Sequence, residues 1–258
     1  MGTAQIQGRL WGARARDYAA IAEGFFRPVY ETVFTAAGVG PGTRLLDVGC
    51  GPGLAAHLAA QRGAQVAGLD AAEASVAIAR ERTPQGDFRV GEMEELPWPD
   101  HIFDVVTSFN AFQFAADLGN ALRAARRVAT SGGRVAMVVW GRPEDCDTFA
   151  TNAAVSKLLP PQPPPPGPPL SAPSRVEALL QHAGLAPLAS GEVECAFEFP
   201  DLETAVRGLM SAGVMVAAAQ QVGAEPVQQA IAESLAPFRT EQGGYHQRNR
   251  FRYVIASA

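Results

Sequence analysis

Three glycines at alternate positions, Gly49, Gly51 and Gly53, follow an apolar run that ends in Asp47 and Val48, and a helix-like stretch begins near Leu54. Glycine is needed where a chain takes positive φ or lets a ligand reach its backbone. Cys50 sits inside this turn, where its side chain is small enough to fit. A strand-to-helix turn of this kind offers free helix N–H groups to a ligand at the C-terminal edge of a parallel sheet. The next apolar run, Gln65 to Leu69, also ends in an acid, Asp70, with Ala71 after it. An acid about 20 residues beyond a glycine turn is placed to accept hydrogen bonds from ribose hydroxyls. A plain N-cap role ahead of Glu73 accounts for Asp70 alone but leaves the turn unexplained. Together the two features predict a nucleoside-type cofactor.

Two cofactor classes compete for the turn. A dinucleotide site wants G-x-G-x-x-G, with pyrophosphate on the helix N-terminus. Gly49 and Gly51 fit its first two positions, but the third falls on Leu54. Asp47 is the stronger objection, because two like charges a few Å apart in a partly dry cleft cost several kcal/mol. S-adenosylmethionine (SAM) has no phosphate, and it carries an ammonium and a sulfonium. An acid beside the turn suits it.

The order of motifs resembles the class I SAM-dependent methyltransferases, in the branch that includes the quinone-biosynthesis and bacterial secondary-metabolite enzymes. Residues 14–140 carry the likeness. Its signposts are Asp47 to Gly53, then Gly68-Leu69-Asp70, Gly91 to Pro97, Phe103 to Ser108, and Gly132 to Val135. The resemblance implies that Gly49, Gly51 and Gly53 approach the methionine part of SAM and that Asp47 attracts its ammonium. Asp70 then takes the ribose, Glu92 and Met93 the adenine, and Phe109 and Asn110 add contacts at the end of strand four. Tyr18, in an N-terminal lid, is implied to reach the methionine carboxylate.

Alternation of apolar runs and helical periods predicts an α/β fold, a doubly wound, mostly parallel seven-stranded sheet. The strands read as 44–48, 65–69, 86–90, 103–108, 133–139, 192–199 and 251–256. Helices read as 54–62, 72–82, 117–129, 147–158 and 174–183, with two more in 14–37 and two in 201–239 that break near Gly223 to Pro226. Residues 1–13 read as poorly ordered. The chain divides into a helical lid over 1–40, a SAM-binding core over 41–200 and a helical substrate cap over 201–246. Residues 247–258 are the last strand of the core, which the resemblance places antiparallel between strands five and six. A proline-rich loop over 159–173 reads as an extended surface connector.

Catalysis is less sharply marked. Among four histidines, His246, beside Tyr245, enters the last strand from the cofactor edge and is the preferred base. His57, His101 and His182 read as structural or surface residues. Trp11, Phe112, Gln113, Trp140, Met210, Met215 and Tyr245 are candidate walls for a fairly apolar acceptor, since Met-rich faces adapt to greasy ligands.

Composition narrows the partners. A net charge of −5 argues against nucleic acid as substrate. The three cysteines, Cys50, Cys146 and Cys195, lack paired or metal-ligand spacing, so no metal is expected. Neither a signal segment nor a membrane span is visible, so a cytoplasmic enzyme is expected, as monomer or homodimer. The reading is a SAM-dependent methyltransferase that methylates O, N or C of a small molecule of secondary metabolism. Its rivals are a SAM-binding cyclase or pericyclase, an NAD(P)-dependent oxidoreductase and a non-catalytic partner subunit.

Overall fold

The computed structural model describes residues 2–161 and 167–258. Most of the proline run that reads as an extended connector, residues 162–166, lies outside the described residues. The sheet has seven strands in the order β3-β2-β1-β4-β5-β7-β6. These are β1 (Arg44–Val48), β2 (Gln65–Asp70), β3 (Asp87–Val90), β4 (Phe103–Phe109), β5 (Ala129–Trp140), β6 (Ala186–Phe199) and β7 (Tyr245–Ser257). The first five are parallel, and β7 runs antiparallel to both β5 and β6. Neighbouring residues of β1 feed two separate cores, because strand side chains alternate between faces. Leu45 packs with Phe34 and Ala56 on one side. Leu46 and Val48 pack with Leu122 and Leu180 on the other.

The helices are α1 (Ala4–Gly12), a single turn α2 (Ala15–Asp17), α3 (Arg27–Ala36), α4 (Leu54–Gln61), α5 (Glu73–Arg82) and α6 (Leu118–Val128). After the core strands come α7 (Thr148–Ser156), α8 (Arg175–His182), α9 (Leu202–Leu209), α10 (Gly213–Val222) and α11 (Ala224–Ser234). Asp117 and Asp201 cap α6 and α9 by accepting from the backbone N–H groups of Asn120 and Thr204.

Four details depart from the sequence expectation. Residues 4–12 form a helix rather than a loose tail. Gly8 lets this helix lie against the Ala71 carbonyl, where a Cβ would come within 2.3 Å. Residues 14–23 do not continue as one helix. The chain passes through a π-helical turn, Tyr18–Ala22, and a 3-10 turn, Glu23–Phe26. The stretch after Pro200 breaks twice, and α9 and α10 meet at 91° as well as parting from α11 at Gly223. Finally, β5, β6 and β7 extend beyond their apolar segments, because backbone pairing continues through polar residues.

Candidate functional site

All three glycines of the turn are left-handed, with φ of 78° at Gly49, 52° at Gly51 and 83° at Gly53. Their reasons differ. A Cβ on Gly49 would stand 2.1 Å from that of Ala111, and one on Gly53 would stand 2.7 Å from that of Ala79. These two positions are closed by packing. Around Gly51 nothing lies within 4 Å of such a Cβ, and Gly51 lines a cavity. The N–H groups of Gly49 and Cys50 both donate to the Leu69 carbonyl, tying the turn to the end of β2.

Asp70 closes the arrangement. One carboxylate oxygen accepts from Gly51 N at 2.8 Å and the other from Ala72 N at 2.8 Å. Each oxygen keeps a further lone pair, and Asp70 lines the cavity. The first N–H of α4 is not free as expected. Leu54 N donates to the Glu23 carboxylate, which the 3-10 turn Glu23–Phe26 brings there, at 2.8 Å. Glu23 is itself paired with Arg82 at 2.6 Å, and Arg82 also donates to the Pro52 carbonyl.

Three carboxylates therefore converge on one turn. Asp47 is 2% exposed and accepts a 2.7 Å hydrogen bond from the Thr107 hydroxyl. Burial pushes its pKa up to about 7; the Thr107 bond opposes this, and the charges of Asp70 and Glu23 reinforce it. Burial also raises Asp70, against its backbone hydrogen bonds, and raises Glu23, against the Arg82 guanidinium. The turn is short of positive charge.

The cavity beyond it has a volume of about 380 Å³. On the side of β2 and β3 it is lined by Asp70, Ala71, Glu92 and Met93, and on the side of β5 and β6 by Trp140, Phe197 and Phe199. Tyr18, Trp11, Phe109, Asn110, Gln113 and Met215 also face it. Asn110 is held at φ 54°, and both polar atoms of its amide are buried without a partner. Glu92 has a second duty, accepting from Ala4 N at the start of α1 at 2.9 Å.

Several expected residues lie elsewhere. The preferred base, His246, is not on the cavity. Because β7 begins at Tyr245, strand alternation turns His246 to the charged face, where it meets Glu198 at 3.2 Å and its side chain is 41% exposed. Tyr245 and Met210 pack in the apolar core, and Phe112 lies in the opposite core. Asp47, Cys50 and Gly53 support the turn from behind without lining the cavity.

Residues 46–137 match the family described as a methyltransferase domain. The chain is 35% identical over 107 residues to a malonyl-[acyl-carrier protein] O-methyltransferase of Serratia marcescens, covering 42% of each protein. It is 36% identical over 127 residues to a ubiquinone biosynthesis O-methyltransferase of Hahella chejuensis, covering 46% of this chain and 53% of that protein. The chain thus spans about half the length of the curated relatives it matches. The fold is shared with a chain in the complex between the Haloferax volcanii Trm112 methyltransferase activator and a methyltransferase, with a TM-score of 0.60, 20% identity and 96% of both chains covered.

The matched segment ends before most of the aromatic wall begins. Phe25, Phe149, Phe197, Phe199 and Asn152 line the cavity from outside residues 46–137 and were not expected as site residues. Phe197 and Phe199 had a signal, since they alternate along β6 with Cys195 on a buried face. Phe149 and Asn152 had none. They reach the cavity because α7 is pinned to β7, where buried Asn249 accepts from Thr148 N at 3.1 Å and buried Gln247 bonds to Thr151.

The cradle suits a phosphate-free adenosine derivative. Gly51 leaves space a side chain would fill, Asp70 offers unused acceptor capacity, and Asn110 presents an unpaired buried amide. Three carboxylates against one arginine disfavour a diphosphate there.

Proposed function

We propose that this protein is a SAM-dependent methyltransferase acting at O, N or C of a small, fairly apolar molecule. The observation that carries the reading is the electron-rich glycine turn opening onto an aromatic cavity. SAM supplies a methyl carbon on a sulfonium, open to in-line displacement. In this reading the Gly49–Gly51 backbone and Tyr18 hold the methionine end. Asp70 accepts from the ribose hydroxyls, and Ala71, Glu92 and Met93 border the adenine. Asp47 braces the turn and contributes its field. Phe109 and Asn110 stand between cofactor and acceptor. Helices α9 and α10 roof the acceptor side through Leu209, Ala212 and Met215. Alignment and exclusion of water then supply much of the acceleration.

A cytoplasmic protein of secondary metabolism, monomeric or dimeric, belongs to the same proposal. No single described helix is long and apolar enough to cross a membrane. Calorimetry with SAM, S-adenosylhomocysteine and NAD tests the core of it. Binding of the two sulfur nucleosides without NAD is expected, and NAD binding alone would overturn it. Mass spectrometry of an acceptor panel then reads out the methyl gain.

A further inference from the structure

Not one lysine, arginine or histidine occurs among the described residues that line the cavity. The acids that line it, Asp70 and Glu92, stand on the side of β2 and β3 and are engaged by backbone N–H groups. On the opposite side the wall is aromatic. Phe25 stacks on Phe197 with centroids 4.9 Å apart and meets Phe199 edge-on at 5.0 Å. Trp140 meets Phe149 and Phe197 at 5.9 and 6.0 Å. Among the described residues, the aromatic side of the cavity carries no carboxylate or imidazole to remove a proton from a phenol or carbon acid. It also has no cation to hold the anion that would result. It has π-faces and a surplus of nearby carboxylates, and both stabilise positive charge.

Resting on the methyltransferase reading, we propose that the acceptor is an apolar amine, methylated at nitrogen, and that the aromatic chamber holds the ammonium product. The amine loses any proton to water before entry. Its nitrogen lone pair then forms the new N–C bond as the methyl carbon's bond to sulfur breaks, and sulfur keeps that electron pair. The positive charge passes from sulfur to nitrogen, from the acidic turn toward the π-faces. No group of the protein needs to accept a proton. Neutral polar groups, Thr148 and Asn152 of α7, complete the chamber without charge.

The test uses the full chain saturated with S-adenosylhomocysteine, whose own binding is measured first. Benzyltrimethylammonium, a mimic of a methylated amine, is compared with its uncharged isostere, neopentylbenzene. The cation is expected to bind about tenfold or more tightly than the isostere. Trp140→Leu is expected to remove most of that preference while keeping affinity for neopentylbenzene. Phe149→Leu, at a partly exposed position, gives the same readout should the tryptophan variant fail to fold. Equal binding of the two probes, preference for the neutral one, or binding of neither would overturn the amine assignment and leave the methyltransferase reading standing. Failure to bind S-adenosylhomocysteine would instead sink the reading on which it rests.

Discussion

At the scale of single residues, the three turn glycines separate packing from ligand contact. Gly53→Ala drives a Cβ to 3.0 Å from the Ala79 backbone at a φ of 83°. Overpacking and left-handed strain together should cost about 2–4 kcal/mol of stability, visible as a lower midpoint in urea. Gly51→Asn meets open space, and asparagine tolerates the left-handed region. That variant should fold with nearly the parent stability yet bind S-adenosylhomocysteine at least about tenfold more weakly, since its side chain stands where the ligand belongs. Unchanged affinity would move the cofactor away from the turn. Asp70→Ala removes an acceptor held by two backbone donors. It should weaken the same ligand by about 1–3 kcal/mol in calorimetry, the range for hydrogen bonds to a charged group. A loss below a few tenths would remove Asp70 from the ribose. These positions were legible in the sequence because glycine spacing and strand-ending acids are local signals. His246 was not, because its direction depends on where β7 starts. The apolar run suggested residue 251, whereas pairing with β6 begins at Tyr245.

Elements tell a similar story about local and distant causes. Asp47 is the penultimate residue of β1 and Asp70 the last of β2, and both strands match expectation within a residue. Helix α1 was hidden because it has no fully buried residue. Its stability comes from other elements. Gly8 rests on the Ala71 carbonyl, Trp11 meets Tyr18 and Phe114 edge-on, and Gly213 at the start of α10 makes room for the Trp11 ring. No propensity announces such contacts. At the open end, Glu92 accepts from Ala4 N and the Thr3 hydroxyl donates to the Phe114 carbonyl. Glu92→Ala should therefore free the first turn of α1. Hydrogen exchange over residues 4–12 should quicken by about tenfold, the equivalent of one lost charge-assisted bond, while β1 and β4 keep their protection. Equal protection in parent and variant would show that α1 is held by the Gly8 and Trp11 contacts alone. Because the cavity is lined by both Glu92 and α1, the same variant tests whether this latch reports on cofactor binding.

Across the whole molecule, charge is gathered at the turn from three separate parts of the chain: Glu23 from the N-terminal 3-10 turn, Asp47 from β1 and Asp70 from β2. Among the described residues, only Arg82, from α5, answers them directly. The consequence for pH follows from linkage. Asp47 rises from an ordinary 3.8 to about 7 on folding, chiefly through burial. Between those values the native state holds more protons than the unfolded one. Its contribution to stability is therefore complete below pH 3.8 and is lost as pH rises through about 7. The ligand-free protein should lose up to about 1.4 kcal/mol of stability per pH unit from this group across that window. Asp47→Asn, which cannot ionise, should flatten that part of a melting-temperature profile. A positively charged ligand reverses the sign of the cost, because it favours the ionised carboxylates. SAM and S-adenosylhomocysteine differ by one charge at sulfur, so their affinity ratio isolates this effect from shape. From pH 6 to pH 8 the ratio should move toward SAM by about 1 kcal/mol, as Asp47 ionises near pH 7. In Asp47→Asn it should stay level. A ratio independent of pH in the parent protein would mean that the sulfonium lies beyond the reach of these carboxylates, and the electrostatic case for the cofactor would then rest on Asp70 alone.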